Sequence, residues 1–109
     1  MNSGLVQAKE RFLSEEPVRS DYSNISDRLV ELMEREKLFL NPDIRINEVA
    51  EKLFTNKSYL SKAIKETTNR NFCQLIHYFR IKEVMKIFAK NPEDNIQDIA
   101  MRVGFKSPS

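Results

Sequence analysis

The chain contains an internal repeat of eight residues, and this repeat constrains the fold more than any other feature. The segment INEVAEKL at 46–53 matches IQDIAMRV at 96–103 in its apolar, acidic, small and basic positions. Two unrelated amphipathic helices often share apolar spacing, but they seldom share the charged and small positions as well. We therefore expect two copies of one helical unit.

A tight turn follows each copy, and a further helix is predicted at 57–67 after the first one. Asn56 precedes this helix, and asparagine is a good N-cap because its side chain accepts a hydrogen bond from a free backbone N–H. Ala50 and Ala100 occupy the same position in the two copies, where a small residue lets another helix cross closely. A helix, a tight turn and a second helix form the helix-turn-helix plan.

Apolar residues recur every three to four positions along the chain, and no segment alternates as a strand would. The predicted fold class is therefore all-α. The predicted helices cover 26–37, 46–53, 57–67, 72–90 and 96–103. The helix at 72–90 changes its apolar face midway, from Phe72, Leu75, Ile76 and Phe79 to Ile81, Val84, Met85 and Phe88. Such a helix is expected to bridge two small helical units.

These elements predict two homeodomain-like, three-helix subdomains on either side of a linker helix. The predicted boundaries are a tail or linker remnant at 1–24, a first helix-turn-helix subdomain at 25–70, the linker helix at 71–91 and a partial second subdomain at 92–109. Within the tail, Pro17 is interpreted as a break in a weakly periodic segment.

Several classes of function are disfavoured by the composition. Cys73 and His77 are the only cysteine and histidine, so they provide too few ligands for a metal site and are interpreted as a core thiol and a partly buried imidazole. No apolar run is long enough to span a membrane and no secretory signal is present, so we expect a cytoplasmic protein without membrane contact. Neither a cofactor nor an enzymatic activity is expected, because no phosphate-binding loop or catalytic constellation is found.

Positive charge is concentrated in one stretch, although the net charge is only +2. Residues 56–90 contain eight Lys and Arg against two Glu. One face of the helix at 57–67 carries only hydroxyl and amine side chains, namely Ser58, Ser61, Lys62 and Lys65. Such side chains reach base edges and phosphates, so this face predicts contact with double-stranded DNA. The alternatives are a solvated helix face and a helical interaction domain that binds an acidic protein.

Three segments resemble the AraC/XylS family of bacterial transcription regulators: LNPDIRINEVAEKL, NKSYLSKAIKETTNRNFCQLIHYFRIKEV and NIQDIAMRVGFKSPS. The resemblance covers about 29–109. It implies an all-helical DNA-binding unit in which one long helix joins two helix-turn-helix subdomains. Two recognition helices are then expected to enter successive segments of the major groove.

The resemblance also implies roles for individual residues. Positions that contact bases in the first recognition helix are occupied by Ser58, Ser61 and Lys62. Lys57 and Lys65 lie beside them, where phosphate contacts are expected.

Arg80 is interpreted either as a further DNA phosphate contact or as a brace between the subdomains. Tyr59 and Tyr78 are interpreted either as phosphate contacts or as packing residues between helices.

The end of the sequence resembles the opening of the second recognition helix, at Ser107, Pro108 and Ser109, where a proline suits the first helical turn. The family pattern would continue beyond this point, so the second subdomain is expected to be incomplete. Asn69 stands where the family usually has glycine, and asparagine tolerates the same left-handed conformation. An effector or sensor domain, which the family normally carries, is missing from this chain, and a homodimer is left open.

Overall fold

The computed structural model describes residues 17–106. Within that range the chain forms only helices and turns, which confirms the predicted all-α class. The elements are α1 (Pro17–Glu36), a 3-10 turn (Leu38–Leu40), α2 (Ile46–Lys52), α3 (Lys57–Thr68), α4 (Phe72–Lys90) and α5 (Ile96–Arg102). None of the described helices is long and apolar enough to cross a membrane.

The first described helix begins at Pro17 rather than at 26 as the sequence predicted, and because residues 1–16 lie outside the described range, the break at Pro17 stays a prediction. A proline fits the first turn of a helix because the N–H that it lacks would have no intrahelical acceptor there. The rest of the predicted tail, at 1–16, lies outside the described residues. The expected start of the second recognition helix, at Ser107, Pro108 and Ser109, also lies outside them.

Asparagine side chains fix where three of the described helices begin. Asn56, Asn71 and Asn95 each accept a hydrogen bond from a backbone N–H in the first turn of α3, α4 and α5. Asn69 ends α3 in a left-handed conformation with φ 59°, as expected for an asparagine in place of glycine. These local contacts set the turns that separate α2, α3 and α4.

Among the side chains that the structure describes, at 22–106, two separate cores hold the helices together. The first core combines side chains from α1, the 3-10 turn, α2, α3 and the beginning of α4. Its 14 buried members are Ile25, Leu29, Leu32, Met33, Phe39, Val49, Ala50, Leu53, Leu60, Ala63, Ile64, Leu75, Ile76 and Phe79. The second core has three buried members, Val84, Ile99 and Val103, which come from α4 and the region of α5. The helix α4 therefore contributes to both cores, as its change of apolar face predicts.

The second apolar face of α4 is narrower than the sequence pattern indicates. Val84 is buried and Phe88 is half-buried against α5, together with Ile87, which the pattern did not include. Ile81 and Met85 are instead 56% and 63% exposed. The reason is geometric: α5 is one short helix and covers only the α4 positions that point towards it.

The unequal cores predict unequal protection of the two repeat copies. Each fully buried aliphatic side chain contributes about 1.5–3 kcal/mol, so a core of three such residues resists local opening far less than a core of 14. We expect amides at 96–103 to exchange with solvent at least tenfold faster than amides at 46–53 in monomeric protein. Hydrogen exchange measured by NMR checks this, and equal protection of the two copies would contradict it.

Candidate nucleic-acid interface

The elements α2 and α3 form a helix-turn-helix whose second helix is held from behind by α1. A hydrogen bond of 2.9 Å joins the Ser26 hydroxyl on α1 to the Thr67 hydroxyl on α3. The rings of Tyr22 and Tyr59 pack with their centroids 5.2 Å apart. These contacts, together with the first core, fix the rotation of α3 about its own axis.

That rotation gives α3 one fully buried face and one open face. Leu60, Ala63 and Ile64 each have 0% exposure. The side chains on the opposite face are exposed, namely Lys57, Ser58, Ser61, Lys62 and Lys65. This confirms the predicted division of the helix into an apolar and a polar side. We call these five residues the α3 face.

The lysines of the α3 face are not neutralised within the described part of the chain. Ion pairs there use Lys37, Lys52, Arg35, Arg102 and Lys106, and none of them includes a lysine of the α3 face. The single acid on α3, Glu66, forms no ion pair in the same range. A cluster of amines without intramolecular partners attracts anions, and the positive end of the helix dipole at the N-terminus of α3 adds to this attraction.

The surroundings of Arg80 favour the role of a brace over that of a DNA phosphate contact. Arg80 is only 6% exposed. Its Nε donates to the carbonyl of Phe39 at 2.8 Å and its Nη2 to the carbonyl of Asn41 at 2.9 Å. Burial lowers the pKa of this guanidinium, although arginine still remains protonated at neutral pH. A buried cation with its donors directed at two carbonyls is not available to a DNA backbone.

The two tyrosines that the sequence left open have different surroundings. Tyr59 is half-buried between α1 and α3, which favours its packing role. Tyr78 is 39% exposed and has two cations over its ring, with the Arg70 guanidinium at 4.7 Å and the Lys82 amine at 5.3 Å from the centroid. Sequence reasoning did not find this cluster. The contact between Tyr78 and Lys82 could have been predicted, because residues four apart on a helix lie on the same face. The contact with Arg70 has no such signal in the sequence.

Cys73 and His77 are both exposed, so the expected core thiol and partly buried imidazole are wrong. They lie near the N-terminus of α4, at the edge of the first core rather than inside it. The His77 ring packs against Phe105, with centroids 5.7 Å apart. Over residues 17–106 there is no group of three His, Cys, Asp or Glu side chains that could hold a metal ion.

The turn that follows α2 and the turn that follows α5 share an unusual backbone conformation. Phe54 has φ 58° and Gly104 has φ 107°, and the two residues occupy equivalent positions in the repeat. Glycine adopts positive φ without strain, whereas a bulky residue does so at a cost of about 1–2 kcal/mol. Phe54 is also 91% exposed, so packing does not offset this cost.

Comparison with known proteins agrees with this geometry. A family model described as a helix-turn-helix domain matches residues 49–109, which include most of α2 and all of α3, α4 and α5. No curated protein and no solved structure matches the chain.

The two equivalent turn positions predict opposite responses to substitution. Phe54→Gly removes the strain of a left-handed phenylalanine but adds backbone entropy to the unfolded chain, so we expect a net gain of about 0.5–1 kcal/mol in the free energy of unfolding. Gly104→Ala should lower it by more than about 1 kcal/mol because alanine is strained at positive φ. Urea denaturation followed by circular dichroism measures both.

Thr55→Gly is the matched control for the backbone entropy that a glycine adds to the unfolded chain. Thr55 adjoins Phe54 but is not among the residues of positive φ, so glycine relieves no strain there. This variant should be destabilised by about 0.5–1 kcal/mol. Destabilisation of Phe54→Gly to the same extent as Thr55→Gly would show that the left-handed phenylalanine is not strained.

Proposed function

Because this chain belongs to the AraC-type family of helix-turn-helix DNA-binding domains, we propose that it is a sequence-specific DNA-binding domain of a transcription regulator and that α3 is its first recognition helix. The observation that carries this proposal is the α3 face, which is cationic, exposed and forms no ion pair with any other residue whose side chain the structure describes. A helix fits the major groove of B-DNA, which is about 12 Å wide.

Within the groove, the short side chains of Ser58 and Ser61 permit close approach of the α3 backbone to base edges. Lys62 follows Ser61 on the same exposed face, and its side chain is long enough to donate to guanine O6 and N7. Lys57 and Lys65 stand at the two ends of the face, where the phosphates that border the groove would be reached. Base contacts specify sequence and phosphate contacts fix the position of the helix.

The phosphate contacts predict that DNA affinity falls as the salt concentration rises. Neutralising two phosphates with Lys57 and Lys65 releases counterions, so the logarithm of the association constant should fall with the logarithm of salt concentration with a slope of about −2. Fluorescence anisotropy with a labelled random duplex measures this slope. A flat response would contradict DNA binding and would favour the alternative of a protein partner.

Single substitutions should separate base contacts from phosphate contacts. Lys62→Ala should weaken binding to a duplex selected from a random pool by about 1–3 kcal/mol and leave binding to unselected DNA much less affected. Lys57→Ala should weaken binding to both duplexes equally and reduce the salt slope by about 1. Competition titrations at several salt concentrations measure these effects.

Lys90→Ala is the control for the loss of one charge, because Lys90 is an exposed lysine at the end of α4 rather than on the α3 face. This variant should change the affinity for the selected duplex by less than twofold. It should leave the preference for that duplex over unselected DNA unchanged. Equal losses on selected and unselected DNA for Lys62→Ala would show that Lys62 does not read bases.

A further inference from the structure

The 3-10 turn, α4 and the turn after α5 meet at a junction that is built around Arg80 of α4. The Arg80 side chain reaches from α4 to the 3-10 turn and donates to the carbonyls of Phe39 and Asn41. The planar guanidinium presents Nε and Nη2 in a fixed geometry, so these two bonds hold it in one orientation. A buried charge requires such hydrogen bonds, since an unpaired one would be strongly unfavourable.

The turn after α5 packs directly on this arginine. A Cβ atom added to Gly104 would lie 2.5 Å from the carbonyl oxygen of Phe39 and 2.8 Å from Nε of Arg80. Only a residue without a side chain can approach so closely. The conformation of Gly104, with φ 107°, is also one that other residues rarely adopt. The turn after α5 therefore approaches the 3-10 turn through backbone atoms.

Side chains on either side of Gly104 extend the same contact. The Phe105 ring lies 5.7 Å from the Arg80 guanidinium and packs on His77. The Lys106 amine forms an ion pair of 2.9 Å with Asp43, in the segment after the 3-10 turn. A hydrogen bond from Lys106, together with its charge, lowers the pKa of the Asp43 carboxyl. Both partners are well exposed, so this pair adds little stability by itself.

A second link holds α4 to the end of α1 on the other side of the 3-10 turn. The Lys37 amine donates to the Glu83 carboxylate at 3.1 Å, and Glu83 is only 14% exposed at its side chain. The 3-10 turn is thus tied to α4 by Arg80 and flanked by an ion pair at its N-terminal side. It provides a fixed surface against which Gly104 and Phe105 pack.

We propose that Arg80 is a positioning residue that fixes the angle between α3 and α5. The second core, with three buried residues, is too small to hold it alone.

Distances between spin labels test the fixed angle without DNA. Glu66→Cys on α3 and Met101→Cys on α5 place labels on exposed positions, and Cys73→Ser removes the native thiol. Pulsed electron paramagnetic resonance should give one narrow distance distribution for this parent protein. Arg80→Met should at least double its width, and Arg80→Lys should give an intermediate width because an amine lacks the planar pair of donors.

Lys86→Met is the matched control, since it removes a charge from an exposed position of the same helix. It should leave the width unchanged. If Arg80→Met does not fold, Gly104→Ala opens the junction from the other side, with Arg80 retained, and should also at least double the width. A distribution as narrow as that of the parent protein in a folded Arg80→Met or Gly104→Ala variant would overturn the proposal.

Discussion

The helix α4 belongs to two cores at once, and Arg80 lies where one core gives way to the other. Phe79 belongs to the first core and Val84 to the second. Arg80 lies between them on the same helix, and its cationic side chain is buried. The carbonyls of Phe39 and Asn41 make this burial tolerable, because they accept hydrogen bonds from a guanidinium that pairs with no carboxylate of the described side chains. The position of the 3-10 turn, the approach of Gly104 and the placement of α5 all depend on this one set of hydrogen bonds.

The exposed cationic face of α3 is a consequence of burial on the opposite side of the helix. Leu60, Ala63 and Ile64 lock α3 against α1 and α4 without any exposed apolar surface, which leaves the lysines of the same helix directed outward. The hydrogen bond between Ser26 and Thr67 adds a polar constraint at the C-terminal end of the helix. A binding surface on a rigid helix loses little conformational entropy when it meets a partner, and only its long side chains must become ordered.

The two copies of the repeat use the same turn geometry with different residues. Gly104 needs its conformational freedom because the neighbouring backbone leaves no room for a side chain. Phe54 occupies the equivalent position, where the first copy faces solvent and a side chain is sterically tolerated in spite of its strained backbone. The equivalence shows that the backbone path is a property of the helix-turn-helix plan. The side chain at this position is decided by what lies next to the turn.

The sequence by itself determined α2 to α5, the caps at Asn56 and Asn69 and the two faces of α3, but not the start of α1. These features follow from residues three or four positions apart, such as Asn56 with Tyr59 or Leu60 with Ile64, and local spacing is fully visible in a sequence. Tertiary structure decided the rest. Arg80 lies 41 residues from Phe39, and neither the spacing nor the charge of an arginine tells whether its partner is a phosphate or a distant carbonyl. The exposure of Ile81, Met85, Cys73 and His77 was likewise settled by where α5 and the 3-10 turn lie across α4, because burial depends on which distant surface covers a residue and not on the residue's own polarity.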